Sequence, residues 1–184
     1  MNSFKLAWII WLLIWVAISF WSKRTRRHEP LLSRAMHMLP LIIAAYLLAM
    51  PNAAGLLGEP IMPRLVWFHS AGLVLTWGGL AFSVWARLYL GSNWSASVQV
   101  KQDHELVRSG PYRYVRHPIY TGMLTGFLGC ALALDQWRGL LALAIVLAGF
   151  IYKLRLEERW MLETFGEAYA DYRRHSHALI PFVL

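Results

Sequence analysis

Residues 110–122 read GPYRYVRHPIYTG, a basic and aromatic stretch whose Arg116-His117-Pro118 opens directly into the mostly apolar run 119–134. Ionisable groups at or inside a membrane cost free energy, so a cluster of them points to function. Pro118 suits the first turn of a helix and leaves the N–H groups just after it facing the polar stretch. A helix start of that kind carries partial positive charge and suits a carboxylate or a phosphate. A second reading fits equally well: an interfacial cap, with Arg113 and Arg116 reaching toward lipid phosphates.

A second charged stretch follows at Lys153-Leu154-Arg155-Leu156-Glu157-Glu158-Arg159. Lys153 and Glu157 stand four apart and share a helix face. The alternative is a solvated face with modest ion pairs. If the apolar residues between the two stretches fold as a tight hairpin, the stretches meet and wall a pocket under an apolar roof. Other chemistries find no support. His28, His37, His69, His104 and His117 are scattered, and only His175 and His177 are close, without ligand spacing, so no metal is expected. A phosphate-binding loop, a dinucleotide fingerprint and a nucleophile elbow are all missing.

The elements that must position these residues are apolar runs. In 184 residues, 58% of them apolar, there is room for one membrane domain. Runs at 4–21, 38–57, 65–90, 119–134 and 139–152 predict about five transmembrane helices, so the fold class is all-α and polytopic. The first ends in Trp21 and a basic block rather than a cleavage site, and reads as a retained anchor. Pro40 is expected near the start of the second helix, and Pro51 near its end. Gly72, Gly78 and Gly79 are expected to let a neighbour pack closely on the third. The fourth and fifth form the hairpin 118–152, turning at Asp135-Gln136-Trp137-Arg138. Cys130 reads as a small buried hydrophobe.

A net charge of +8 could suggest nucleic acid. The basic residues instead flank apolar runs, and only Lys5, Arg64 and Arg138 fall on the side opposite Lys23–Arg27. That asymmetry predicts an external N-terminus and polar segments that meet at the cytosolic face, with no nucleic-acid partner. From Lys153 onward a distinct amphipathic helical segment is expected on the cytosolic side, broken at Gly166. The division is thus three helices in 1–90 and a core in 91–184.

His104-Glu105-Leu106-Val107, Ser109-Gly110-Pro111-Tyr112, Arg116-His117-Pro118-Ile119-Tyr120-Thr121-Gly122, Glu157-Glu158 and Phe165-Gly166-Glu167-Ala168-Tyr169 occur in that order. Together they resemble the isoprenylcysteine carboxyl methyltransferase family, within the wider membrane phospholipid methyltransferase group. The likeness covers about half the chain, residues 92–181. It implies a membrane enzyme that uses S-adenosylmethionine outside any dinucleotide fold. By the same resemblance His104, Glu105, Leu106, Val107, Tyr112, His117, Pro118, Ile119, Tyr120 and Glu157 would bind the cofactor. Lys153, with Arg155 nearby, would orient the acceptor, so Lys153, Arg155 and Glu157 form the catalytic set.

Two positions depart from the family pattern. Ser97 stands where the family has Gln, with Gln99 two residues on, and Lys153 replaces an Arg. Lys keeps the charge but loses the planar fork that grips a carboxylate. The implied partners are the bilayer and a lipid-like or prenylated acceptor, most simply a carboxylate. The implied location is the cytoplasmic membrane, or the endoplasmic reticulum in a eukaryote. A phospholipid N-methyltransferase and a non-catalytic lipid-binding protein remain alternatives.

Overall fold

A computed structural model describes residues 3–20, 25–61, 66–91, 94, 99–101 and 106–180. Five long helices carry the fold: α1 (Ser3–Ser19), α2 (Leu31–Ala49), α3 (Val66–Leu90), α4 (Pro118–Leu134) and α5 (Trp137–Phe165). The eight-residue α6 (Glu167–Arg174) follows, and a two-stranded antiparallel ribbon joins β1 (Thr25–His28) to β2 (Gln99–Lys101). The fold is all-α apart from this ribbon. Of the described helices, α2, α3 and α5 are long and apolar enough to cross a membrane, while α1 and α4 are shorter apolar helices of 17 residues each.

Small residues set how closely the helices pack. α3 and α4 run antiparallel in direct backbone contact: a Cβ on Gly72 would meet the Gly129 carbonyl at 2.5 Å, and one on Gly79 the Gly122 carbonyl at 2.6 Å. Gly78, expected to share this role, faces open space instead. It sits one residue, or about 100° of helix, away from Gly79. Thr76 closes the seam by donating to the carbonyls of Gly72 and Gly126. Trp8, Trp11 and Trp15 form the packing face of α1, where Trp11 donates to Ser83 Oγ at 2.7 Å and Trp8 to Cys130 Sγ at 3.3 Å. Cys130 is therefore only partly buried and accepts a hydrogen bond.

Two boundaries differ from the sequence reading. α2 begins at Leu31, not near 38, which leaves Pro40 inside the helix. Its missing N–H removes one helical bond, and its ring packs where a Cβ on Gly149 would come within 2.9 Å. The charged segment from Lys153 is no separate helix, because α5 runs unbroken to Phe165. Charge density changes at Lys153, but no residue there interrupts the backbone hydrogen bonds. Gly166, at φ +53, ends α5 and starts α6 as its sequence position suggested.

The hairpin turn is tight. Asp135 adopts the left-handed conformation (φ 49) at the end of α4, and α5 starts two residues later. Gly139 then lets α5 pass close to Ala131. This geometry returns the far half of α5 to the start of α4.

Candidate functional site

The stretch before α4 is fixed by the C-terminal segment. Arg116 N–H donates to the His177 carbonyl at 2.8 Å, His117 N–H to that of Ala178 at 3.1 Å, and His177 N–H to that of Tyr114 at 3.0 Å. Thr121 Oγ1 donates to the Leu179 carbonyl. Tyr112, in the 3-10 turn Gly110–Arg113, is buried and donates to the Ala86 carbonyl, while Tyr172 donates to the Tyr112 carbonyl. Burial pushes the Tyr172 hydroxyl up to about 12, so it stays a neutral donor.

His117 caps α4, and one turn later Tyr120 stacks parallel to it with ring centroids 5.4 Å apart. Phe150 of α5 covers Tyr120 at 4.7 Å. Tyr120 Oη donates to Glu157 Oε1 at 2.6 Å, a short bond of the kind a carboxylate acceptor gives. His117 lies between two adjacent carboxylates: Nδ1 is 3.4 Å from Glu157 Oε2, and Nε2 is 3.4 Å from Glu158 Oε1. Nε2 is nonetheless not aligned for a hydrogen bond and has no such partner among the described residues. Burial alone would lower the imidazole pKa, but the two carboxylates overcome it and leave His117 raised above its ordinary value.

Cations answer these carboxylates on both sides. Lys153 Nζ lies 3.9 Å from Glu157 Oε1 and 5.4 Å from the Tyr120 ring centroid. Arg116 Nε lies 2.7 Å from Glu158 Oε1, and Arg173 Nε 3.4 Å from Glu158 Oε2. Arg116 Nη1 also donates to the carbonyls of Ser176 and Arg173. Adjacent residues on a helix diverge by about 100°. Glu157 therefore turns to Tyr120 and Lys153, while Glu158 turns to the arginines.

The residues singled out from sequence fall into three groups. Tyr112, His117, Pro118, Ile119, Tyr120, Lys153 and Glu157 surround the start of α4, and Leu106 and Val107 are half-buried, with Val107 packed on the core that includes Tyr112 and Ile119. Arg155 is not brought to them, because it lies on the exposed face of α5 about 200° around the helix from Lys153. His104 and Glu105, with Ser97, lie outside the described residues.

Sequence reasoning missed Glu29 and His37, buried on the N-terminal side of α2 with Nε2 2.9 Å from Glu29 Oε1. Their four-residue spacing with Ser33 was the available signal.

The sequence pattern of the family described as phospholipid methyltransferase matches residues 67–168. A protein-S-isoprenylcysteine O-methyltransferase of Tribolium castaneum is 31% identical over 129 residues, 67% of this chain and 45% of that protein. A probable protein-S-isoprenylcysteine O-methyltransferase of Oryza sativa subsp. indica is 30% identical over 151 residues, 78% of this chain and 79% of that protein. Among solved structures, a eukaryotic intramembrane Ras methyltransferase, isoprenylcysteine carboxyl methyltransferase, superposes with a TM-score of 0.56 at 26% identity, covering 83% of this chain and 52% of the other. The chain spans about half the length of the first curated relatives it matches.

Proposed function

This chain belongs to the isoprenylcysteine carboxyl methyltransferase family, within the wider phospholipid methyltransferase group, and we propose that it methylates the carboxylate of an isoprenylcysteine-type or related amphiphilic acceptor. The observation that carries the reading is the meeting of Tyr120 and Glu157 at 2.6 Å, with His117 and Lys153 in the same buried cluster.

S-adenosylmethionine would supply an electrophilic methyl group on a sulfonium. The residues fit such a group. Glu157 is an acceptor-only carboxylate able to answer a cation or hold hydroxyls, and Tyr112, His117 and Tyr120 present flat faces. His117 Nε2 is a buried polar atom still able to donate a hydrogen bond. We assign His104, Glu105, Leu106, Val107, Tyr112, His117, Pro118, Ile119, Tyr120 and Glu157 to holding it. Lys153 is assigned to the acceptor.

What the side chains then contribute is orientation and a dry environment. Lys153, Tyr120 and His117 are each less than a tenth exposed. A fixed ammonium beside an anionic acceptor aligns it without needing a base, and alignment of this kind supplies up to about 7–11 kcal/mol of a barrier in favourable cases. An amine acceptor would need a group to take its proton. His117, whose imidazole the two carboxylates bias toward its protonated form, is poorly suited to that, which favours the carboxylate over phospholipid N-methylation.

The five helices are read as spanning the bilayer, with the N-terminus outside and the site opening to the cytosol while the acceptor's tail stays in lipid.

The test is labelled methyl transfer by the full chain in lipid nanodiscs, comparing prenylcysteine analogues with phosphatidylethanolamine. The expected product releases volatile methanol in base, the mark of an ester. Base-stable label on phosphatidylethanolamine alone would contradict the carboxylate assignment, and no transfer to either would contradict the enzyme.

A further inference from the structure

The polar groups that this chemistry leaves unused lie at the start of α2. Glu29, Ser33 and His37 recur at four-residue steps and form one array: Ser33 Oγ donates to Glu29 Oε2 at 2.8 Å, and His37 Nε2 lies 2.9 Å from Glu29 Oε1. Glu29 is 5% and His37 1% exposed. A carboxylate and an imidazole are costly to bury and persist only where their surroundings compensate them. Yet His37 Nδ1, also buried, has no hydrogen-bond partner among the described residues. A buried orphan beside a satisfied array calls for a ligand or a proton role.

The register of α2 on α5 shows what the array faces. The two helices run antiparallel, with Ser33 beside Tyr152, Pro40 beside Gly149 and the Met50 carbonyl on Arg138. Carried toward the start of α2, this register sets Ser33 against 152–156, with Glu29 two residues ahead of the helix at the same end. Gly149, Lys153 and Glu157 themselves recur at four-residue steps, so two stripes of equal period meet along one seam. The charges of Glu157 and Glu29 both act on Lys153, and those of Lys153 and Glu157 both act on His37. The ribbon closes the same corner: His28, just before Glu29, pairs with Gln99, five residues ahead of His104.

We infer that the α2 stripe is the acceptor-side wall of the site, Glu29 positioning the Lys153 ammonium and His37 Nδ1 making a hydrogen bond to the acceptor's polar head. The inference rests on the methyltransferase reading. It also divides the labour between the halves of the chain. The cofactor residues lie on α4, on α5 and in the loop before α4, and all but His104 and Glu105 are described. The acceptor wall comes from a helix before residue 67, outside the matched family region. With Nε2–H donated to Glu29, the neutral imidazole presents Nδ1 as an acceptor, the right sense for an N–H of the acceptor's head, while the acceptor's carboxylate is left to Lys153.

The experiment uses the full chain in nanodiscs with S-farnesylcysteine analogues as acceptor. Glu29→Gln and His37→Ala should each raise the acceptor KM about tenfold or more, with S-adenosylmethionine affinity held within about twofold. His37→Asn, whose side-chain amide stands near the Nδ1 position, should recover most of the loss, which a merely structural role would not do. Ser33→Ala removes only one hydroxyl and keeps the array's charges; it should raise the KM about threefold, and it serves if the other variants fail to fold.

An acceptor KM unchanged in these variants, no recovery by His37→Asn, or an equal loss of cofactor affinity overturns the inference. Active wild type with unchanged variants overturns this wall alone. Wild type that methylates no acceptor overturns the functional reading and the wall with it.

Discussion

Arg116 is the residue through which the charged site and the C-terminal segment hold each other. Its Nε lies 2.7 Å from Glu158 Oε1, and Nη1 donates to the carbonyls of Arg173 and Ser176, a use of several donors that only a guanidinium fork allows. Both side chains of the ion pair are about nine-tenths buried. Removing one partner of such a pair strands the other charge and costs about 3–5 kcal/mol. Glu158 keeps Arg173 Nε at 3.4 Å and His117 Nε2 at 3.4 Å, which argues for the lower end, about 3 kcal/mol. For a chain of this length that lowers the unfolding midpoint by about 6–12 °C.

The assay is thermal unfolding in detergent at one scan rate, with limited proteolysis at Arg173 and Arg174 to report release of the C-terminal segment. Arg174 is the control. It pairs with Glu167 at 2.8 Å, but the two side chains are 58% and 81% exposed, so Arg174→Ala should leave the midpoint close to that of wild type. Arg116→Lys should fall between wild type and Arg116→Ala. Equal shifts for Arg116→Ala and Arg174→Ala, or no increase in proteolysis for the first, would refute the argument.

Three further outcomes are expected. Gly122→Leu should abolish folding or lower the midpoint by about 10 °C or more, since its Cβ would meet the Gly79 carbonyl at 2.5 Å and Ser83 N at 2.7 Å. Gly78→Leu, in open space, should be tolerated, and similar midpoints for the two would contradict the α3–α4 seam. Because the carboxylates raise the His117 pKa despite its burial, protonation stabilises the fold. That contribution is full below about 6.5, the ordinary imidazole value, and is lost as pH rises through the higher folded value. Midpoints should therefore fall from about pH 6.5 upward in wild type and less in His117→Gln; parallel pH profiles would remove His117 from the linkage. Lys153→Ala should raise the acceptor KM while leaving cofactor affinity near wild type, and a loss confined to cofactor affinity would contradict its assignment.

The helices that hydropathy could see are those that the structure contains. α3, α4 and the first half of α5 are continuous apolar runs, and Gly110, Pro118 and Gly166 mark their polar flanks. The start of α2 was hidden because Ser33, Arg34 and His37 interrupt the apolar pattern without interrupting the helix. The far half of α5 was read as a new segment for the same reason. Lys153, Glu157 and Glu158 change the character of the surface, whereas only Gly166 changes the backbone. The ribbon lacks the apolar alternation that marks a half-buried strand, since β1 reads Thr-Arg-Arg-His. Within the site, motif spacing brought Tyr112, His117, Tyr120, Lys153 and Glu157 together. It could not reach Glu29 and His37, which stand far off in the sequence, at and just before α2, and are brought alongside α5 only by the antiparallel packing of α2 on it. Arg155 shows the converse. Sequence proximity to Lys153 suggested a shared role, and helical geometry turns it the other way.

The central claim is that the Tyr120–Glu157 cluster binds a sulfonium methyl donor, and calorimetric titration of the full chain with S-adenosylmethionine tests it most directly. Loss of a hydrogen bond to a charged group costs about 1.5–3 kcal/mol. Wild type should bind saturably, and Glu157→Gln should therefore bind about ten- to a hundredfold more weakly while still unfolding in a single cooperative transition. Wild type that gives no binding at millimolar cofactor, or Glu157→Gln that binds as wild type does, would contradict the account.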